Sequence, residues 1–199
     1  MPNRLQPGDA LLLVDVQNDF IPGGALGVPH GDAVIPVLNA WIAAAREADI
    51  PIYASRDWHP ANHVSFEAQG GPWPPHCVQN TRGAQFCADL DLQDDVIVVS
   101  KGDHPDLEAY SAFDKTELAG RLRSAGVERL WIGGLAQDYC VRASTLDAAG
   151  EGFQAHVILP AIRAITEETG QQALDEMREA GATIEAEADP YQPDVQETS

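Results

Sequence analysis

"ALLLVDV", residues 10–16, is the stretch on which the fold turns. Its five consecutive apolar residues lack the apolar–polar alternation of a strand with one wet face, so it reads as a strand buried on both sides, as in a parallel sheet. Runs of the same kind recur at "IPIYAS" (50–55), "VIVVS" (96–100), "RLWIGGL" (129–135), "AHVILP" (155–160) and, less fully, "ATIEAEA" (182–188). Helical patterns separate them: "DAVIPVLNAWIAAAREA" (32–48), "KTELAGRLRSAG" (115–126), "DYCVRASTLDAAG" (138–150) and "TEETGQQALDEMREAG" (166–181). Three of these close on a glycine, and the last carries acidic residues in its first turn. Strand and helix in alternation predict an α/β fold, a mostly parallel sheet in a three-layer α/β/α arrangement with helices on both faces.

The 199 residues, 44% hydrophobic, suit one domain spanning 1–199, with a Gly- and Pro-rich insert at about 60–90 and a loose tail at 189–199. The first apolar run lies behind polar residues and ends on Asp15, which predicts neither a signal peptide nor a membrane span. Three widely spaced cysteines, Cys77, Cys87 and Cys140, do not make a secreted disulfide framework; a reducing cytoplasm is expected. A net charge of −19 would repel nucleic acid and anionic lipid, so the expected partner is a small molecule, with no nucleic acid and no membrane; a homo-oligomer is compatible with this composition.

In open parallel sheets ligands sit beyond the carboxyl ends of the strands. Asp15 follows the first run, Asp57 and His59 the second, Lys101 the third, and Cys140 lies just past the fourth, so the chemically capable side chains gather at one edge. Asp57 and His59, two apart on extended backbone, face the same way and reach one ion, with His63 or His76 as the third ligand. Oxygen and nitrogen donors of this kind suit zinc, iron or manganese. Cys140 is either a small buried hydrophobe or a nucleophile. With Asp138 as N-cap it falls in a first helical turn, where unpaired N–H groups favour a thiolate and can hold an oxyanion. Asp15 is then the base and Lys101 the charge that orients it. Phe20, Trp73 and Tyr110 flank these groups and can wall a flat ring.

Five stretches, "LLLVDVQNDFIPGGALGV" (11–28), "SRDWHPANHVSF" (55–66), "WPPHCVQNTRGAQF" (73–86), "KGDHPDLEAYSAF" (101–113) and "GGLAQDYCVRASTLDA" (133–148), together resemble the nicotinamidases of the isochorismatase-like hydrolase superfamily, whose fold is Rossmann-like. The resemblance implies a catalytic triad of Asp15, Lys101 and Cys140 and a divalent metal, zinc foremost, on Asp57, His59 and His76. His63 is implied as either an extra ligand or a support. It also implies a cis peptide at Leu135–Ala136 and an oxyanion site at the N–H groups of Ala136 and Cys140. Gln137 departs from the threonine common in relatives. The implied activity is hydrolysis of nicotinamide, or of pyrazinamide-like amides, through a cysteine thioester, in NAD salvage. The alternatives are a superfamily amidase for carbamoyl or ureido substrates, against which the full metal set argues, and a non-catalytic ligand-binding member, which would have lost the nucleophile or base.

Overall fold

The computed structural model describes residues 2–192. Among them are six strands: β1 (Asp9–Val14), β2 (Ile52–Asp57), β3 (Ile97–Lys101), β4 (Arg129–Gly134), β5 (Gln154–Ile162) and β6 (Thr183–Glu185). All pair in parallel, in the order β3-β2-β1-β4-β5-β6. The order runs outward in both directions from β1, the doubly wound pattern that opens a crevice beside the central strand. Every residue of β1 is buried, which is why its sequence does not alternate.

The parity of β1 sorts the core into two halves. Leu11 and Leu13 face one side, packed with α1 (Val34–Glu47) through Val34, Ile35, Leu38, Trp41 and Ile42. Ala10, Leu12 and Val14 face the other side, with α2 (Leu118–Ser124), α3 (Arg142–Gly150) and α4 (Glu167–Glu179). The result is three layers, α1 against the sheet and the sheet against α2, α3 and α4. In α1 the buried positions recur at helical spacing, the stripe that the sequence displays. In α4 the Thr166 hydroxyl accepts from the Thr169 N–H at 3.1 Å, and Glu167 and Glu168 lie in the first turn.

Two helices differ from expectation at their starts. The helix read over 115–126 begins only at Leu118, because Lys115 takes a left-handed backbone (φ 55°) that no α-helix contains. The helix read over 138–150 is interrupted: a π-helical turn, Gln137–Val141, precedes α3. The connection from β2 to β3 is irregular, as its Gly and Pro content implies, and is held by single bridges such as His59–Val78 and Phe66–Trp73. The segment expected to form the tail begins with contacts to the N-terminal residues and to α1. Tyr191 bridges Asn3, the Arg4 N–H donates to the Pro190 carbonyl at 2.9 Å, and the Tyr191 hydroxyl donates to Glu47 at 2.5 Å. The rest of that segment, 193–199, lies outside the described residues. Among the described residues no helix is long and apolar enough to cross a membrane.

Candidate active site

The ends of β1, β2, β3 and β4 meet over the crevice. Register decides which side chains touch: Val14 pairs with Ser55, and Asp57 with Lys101. Asp15 follows β1 in a left-handed conformation (φ 48°), which Asp tolerates better than most residues, and its carboxylate turns back to the end of β2. There Oδ1 accepts from the Ser55 hydroxyl at 2.6 Å, while Oδ2 lies 2.9 Å from Lys101 Nζ and has no well-directed hydrogen bond. Lys101 is fully buried between two carboxylates, Asp15 and Asp57, the latter its closest partner, and stands 3.4 Å from Cys140 Sγ. Carboxylate oxygens of Asp15 and Asp57 and the Cys140 sulfur all lie within 4.8 Å of one another.

This burial sets the protonation states. Burial raises the Asp15 carboxyl, the Asp57 charge raises it further, and Lys101 only partly offsets the two. Burial alone would depress Lys101, but the two carboxylates outweigh it and hold the ammonium well above the ordinary lysine value. Burial raises the Cys140 thiol well above its usual value, Lys101 opposes, and Asp15 and Asp57 add to the rise. The thiolate expected at a helix start is thus not the resting form. Burial, reinforced by the charges of Asp15 and Asp57, keeps the proton on the sulfur, and the Asp15 carboxylate lies within 4.8 Å of it. A base raised by burial is better matched to a thiol than an ordinary carboxylate is.

Asp57 serves both halves of the site. Burial pushes its carboxyl up, but Lys101 and His59 outweigh that and hold it well below the carboxylate range. Its Oδ1 takes Lys101, and its Oδ2 faces His59 Nε2 at 3.5 Å and His76 Nε2 at 3.9 Å. His59 Nδ1 lies 2.8 Å from the Gly102 carbonyl and His76 Nδ1 lies 2.9 Å from the Pro74 carbonyl. A carbonyl only accepts, so each Nδ1 carries the proton and each Nε2 presents a lone pair to the carboxylate. Three acceptors within 4.8 Å repel unless they share a cation. Burial would lower His59, but Asp57 raises it, whereas burial lowers His76. The donor types, their convergence and the carbonyl-fixed rings fit a divalent ion.

His63 does not join them. Its Nδ1 lies 2.7 Å from the Ser65 hydroxyl, its Nε2 lies 3.0 Å from the Leu107 carbonyl, and its ring stacks on His59 with centroids 4.1 Å apart. Both nitrogens are engaged, so His63 supports His59 from behind. Asp138 is not a cap either. Ala136, with extended backbone, occupies the N-cap place, so Asp138 lies inside the π-helical turn, where its carboxylate accepts from the Ile165 N–H and the Thr169 hydroxyl. The Leu135–Ala136 peptide is cis.

A cavity of about 350 Å³ opens over Cys140, Asp57 and His76 and is lined by Phe20, Trp73, Tyr110 and Ala136. The Trp73 indole donates to the Tyr110 hydroxyl at 3.1 Å, fixing two walls against each other. Sequence reasoning missed several contributors. Gln17 is fully buried; its amide donates to the carbonyls of Asp57 and Ala84 and accepts from the Asp57 N–H, locking the Asp57 backbone. A glutamine inside the apolar "VDVQ" run was the available signal. Ser55, Tyr139 and Ile165 carry no pattern that marks them in advance.

With that geometry in view, the isochorismatase domain model matches residues 9–189. The chain is 40% identical to the nicotinamidase of Escherichia coli (strain K12), over 92% of this chain and 97% of that protein. Among solved structures it is similar to the pyrazinamidase of Pyrococcus horikoshii in complex with zinc, with a TM-score of 0.87 and 50% identity over 89% of this chain and 98% of that one. It is also similar to PnC1 from L. infantum in complex with nicotinate, with a TM-score of 0.84 and 37% identity over 89% of this chain and 92% of that one. A buried aspartate, lysine and cysteine at the strand ends of a doubly wound sheet, matched along nearly the whole chain, leave one conclusion: the chain belongs to the isochorismatase domain family.

Proposed function

We propose that this protein hydrolyses nicotinamide to nicotinate and ammonia through a thioester on Cys140, as an enzyme of NAD salvage in the cytoplasm, with residues 1–199 forming a single catalytic domain. The observation that supports it most is the meeting, in one aromatic-walled cavity, of the Cys140 thiol with its Asp15 and Lys101 partners and of the converging Asp57, His59 and His76 donors. The named relatives, a nicotinamidase, a zinc-bound pyrazinamidase and a nicotinate complex, support the same reading.

The chain's own groups suffice for the proton traffic. Asp15 Oδ2 takes the thiol proton as the sulfur attacks the carboxamide carbon, and the oxyanion so formed is held by the N–H groups of Ala136 and Cys140. Asp15 returns the proton to nitrogen, ammonia leaves, and the acyl group stays on sulfur. Water then attacks the thioester with Asp15 again as base, releasing the carboxylic acid and restoring the thiol. Lys101 stays charged throughout and keeps the two carboxylates from repelling each other. Asp57, His59 and His76 would hold a divalent ion, zinc by preference of its donors, which when bound would supply a Lewis-acidic contact for a ring nitrogen.

The test compares kcat/KM for nicotinamide and benzamide, whose rings differ only by that nitrogen, on zinc-loaded and chelated enzyme. We expect discrimination of about a hundredfold or more, below the roughly 10⁴-fold limit for a lost polar partner, and loss of nicotinamide hydrolysis on chelation. Equal rates for the two amides would sink the role given to the ion, and no ammonia from nicotinamide would sink the function.

A further inference from the structure

We infer that Ile165 is a substrate-binding rim of this cavity and that Asp138 is the residue that positions it. The inference rests on the function proposed above and adds residues that neither the triad nor the metal set includes. Ile165 lines the cavity yet is 40% exposed, one of four large apolar side chains so exposed among the described residues. An apolar side chain left half in water at the mouth of a site has surface that an incoming ring can cover.

Its place is set by the turn that carries the nucleophile. Both carboxylate oxygens of Asp138 lie 3.2 Å from the Ile165 N–H, and Oδ2 accepts from the Thr169 hydroxyl at 2.5 Å. The neighbouring Gln137 ties the same segment at both ends: its N–H donates to the Arg163 carbonyl at 2.8 Å and its side-chain amide donates to the Gly170 carbonyl at 2.7 Å. Gly170 permits that approach, because a Cβ there would lie 2.7 Å from the Ala164 Cβ and 3.1 Å from the Gln137 amide nitrogen. The long side chain of Gln137 is thus put to use in spanning to Gly170. These bonds bind segment 163–170 to residues 137 and 138, three and two positions before Cys140, so the rim and the nucleophile are held in one frame. A rim at the mouth that meets the ring rather than the reacting carboxamide would contribute binding that is the same in ground and transition states.

The test uses zinc-loaded full-length protein with two readouts: kcat and KM for nicotinamide, and calorimetric binding of nicotinate. Ile165→Ala should raise KM and the nicotinate Kd by about tenfold with kcat within about twofold, the scale for trimming an apolar wall. Asp138→Ala should raise both to a similar extent, and in the Ile165→Ala background it should add nothing, because it acts through Ile165. Asp138→Asn keeps an acceptor oxygen and should stay within about threefold of wild type. KM and Kd unchanged in Ile165→Ala, or a full Asp138→Ala effect persisting in the double variant, would overturn the inference. So would a kcat loss in Asp138→Ala that exceeds its KM effect, since that marks general damage to the turn. Wild-type protein that binds nicotinate without hydrolysing nicotinamide overturns the proposed reaction while the binding ratios still judge the rim; wild-type protein that does neither overturns both.

Discussion

At the scale of single residues, the site is a problem in burying charge. Lys101 and Asp15 are both fully enclosed, an arrangement that is costly unless each ion has partners, and each does. Among the described residues the one buried side-chain acceptor without a directed hydrogen bond is Asp15 Oδ2, and the Asp15 carboxylate lies within 4.8 Å of the thiol. Asp15→Asn keeps the shape and removes the proposed base, so turnover should fall by at least about a hundredfold while circular dichroism stays native. A rate within a few fold of wild type would transfer the base role to another group. Cys77 is the control. It is buried, its thiol is raised far above the normal range by burial and by the charges of Asp57 and Asp15, and its N–H is held by Asp19 at 2.7 Å. Cys77 does not line the cavity over Cys140, so Cys77→Ala should leave turnover close to wild type. The two thiols were separable in the sequence by their positions after strands, but the direction of the Cys140 shift was not, because it is set first by burial and then by the charges of Lys101, Asp15 and Asp57, all distant along the chain.

Among the elements, the loop after β3 does for the metal donors what the π-helical turn does for the nucleophile. Gly102 (φ 60°) brings its carbonyl to His59, and a Cβ at this position would lie 2.5 Å from the imidazole Cε1 and 2.7 Å from Nδ1. Leu107, in the same loop, holds His63 behind that ring. Gly102→Ala should therefore swing His59 off its carbonyl and weaken zinc binding by about 10- to 100-fold, the usual loss when an outer partner of a ligating histidine is removed. A zinc titration checks this directly, and an affinity equal to wild type would mean that the carbonyl does not orient the ring. Little of this was legible beforehand. "RDWH" offered two donors at strand spacing, but whether His63 or His76 completes the set depends on how an irregular loop folds back, and no periodicity records that. The left-handed Lys115 that shortens α2 was likewise invisible to an apolar stripe.

For the molecule as a whole, the layers and the sheet were readable because each is set by burial, and burial leaves a pattern in the sequence: unbroken apolar strands, striped helices, polar residues at the strand ends. The strand order was not read, since nothing local says that β4 rather than β3 lies beside β1. Yet that order has a practical outcome. It leaves β3 on the outside of the sheet, five residues long, paired on one side only among the described residues, with Val98 facing water and Lys101 at its end. An outer strand opens at lower free energy than a central one. Warming should therefore strip away the ammonium that reconciles Asp15 with Asp57 before the core melts, and catalysis should fail first. Hydrogen exchange would show it as faster exchange along 97–101 than along 10–14. In a heating series the midpoint for lost activity should lie below the midpoint for lost circular dichroism; coincident midpoints would show β3 melting with the rest. The protein's working ceiling is then set by an edge strand, and engineering for heat would begin at that margin rather than in the interior.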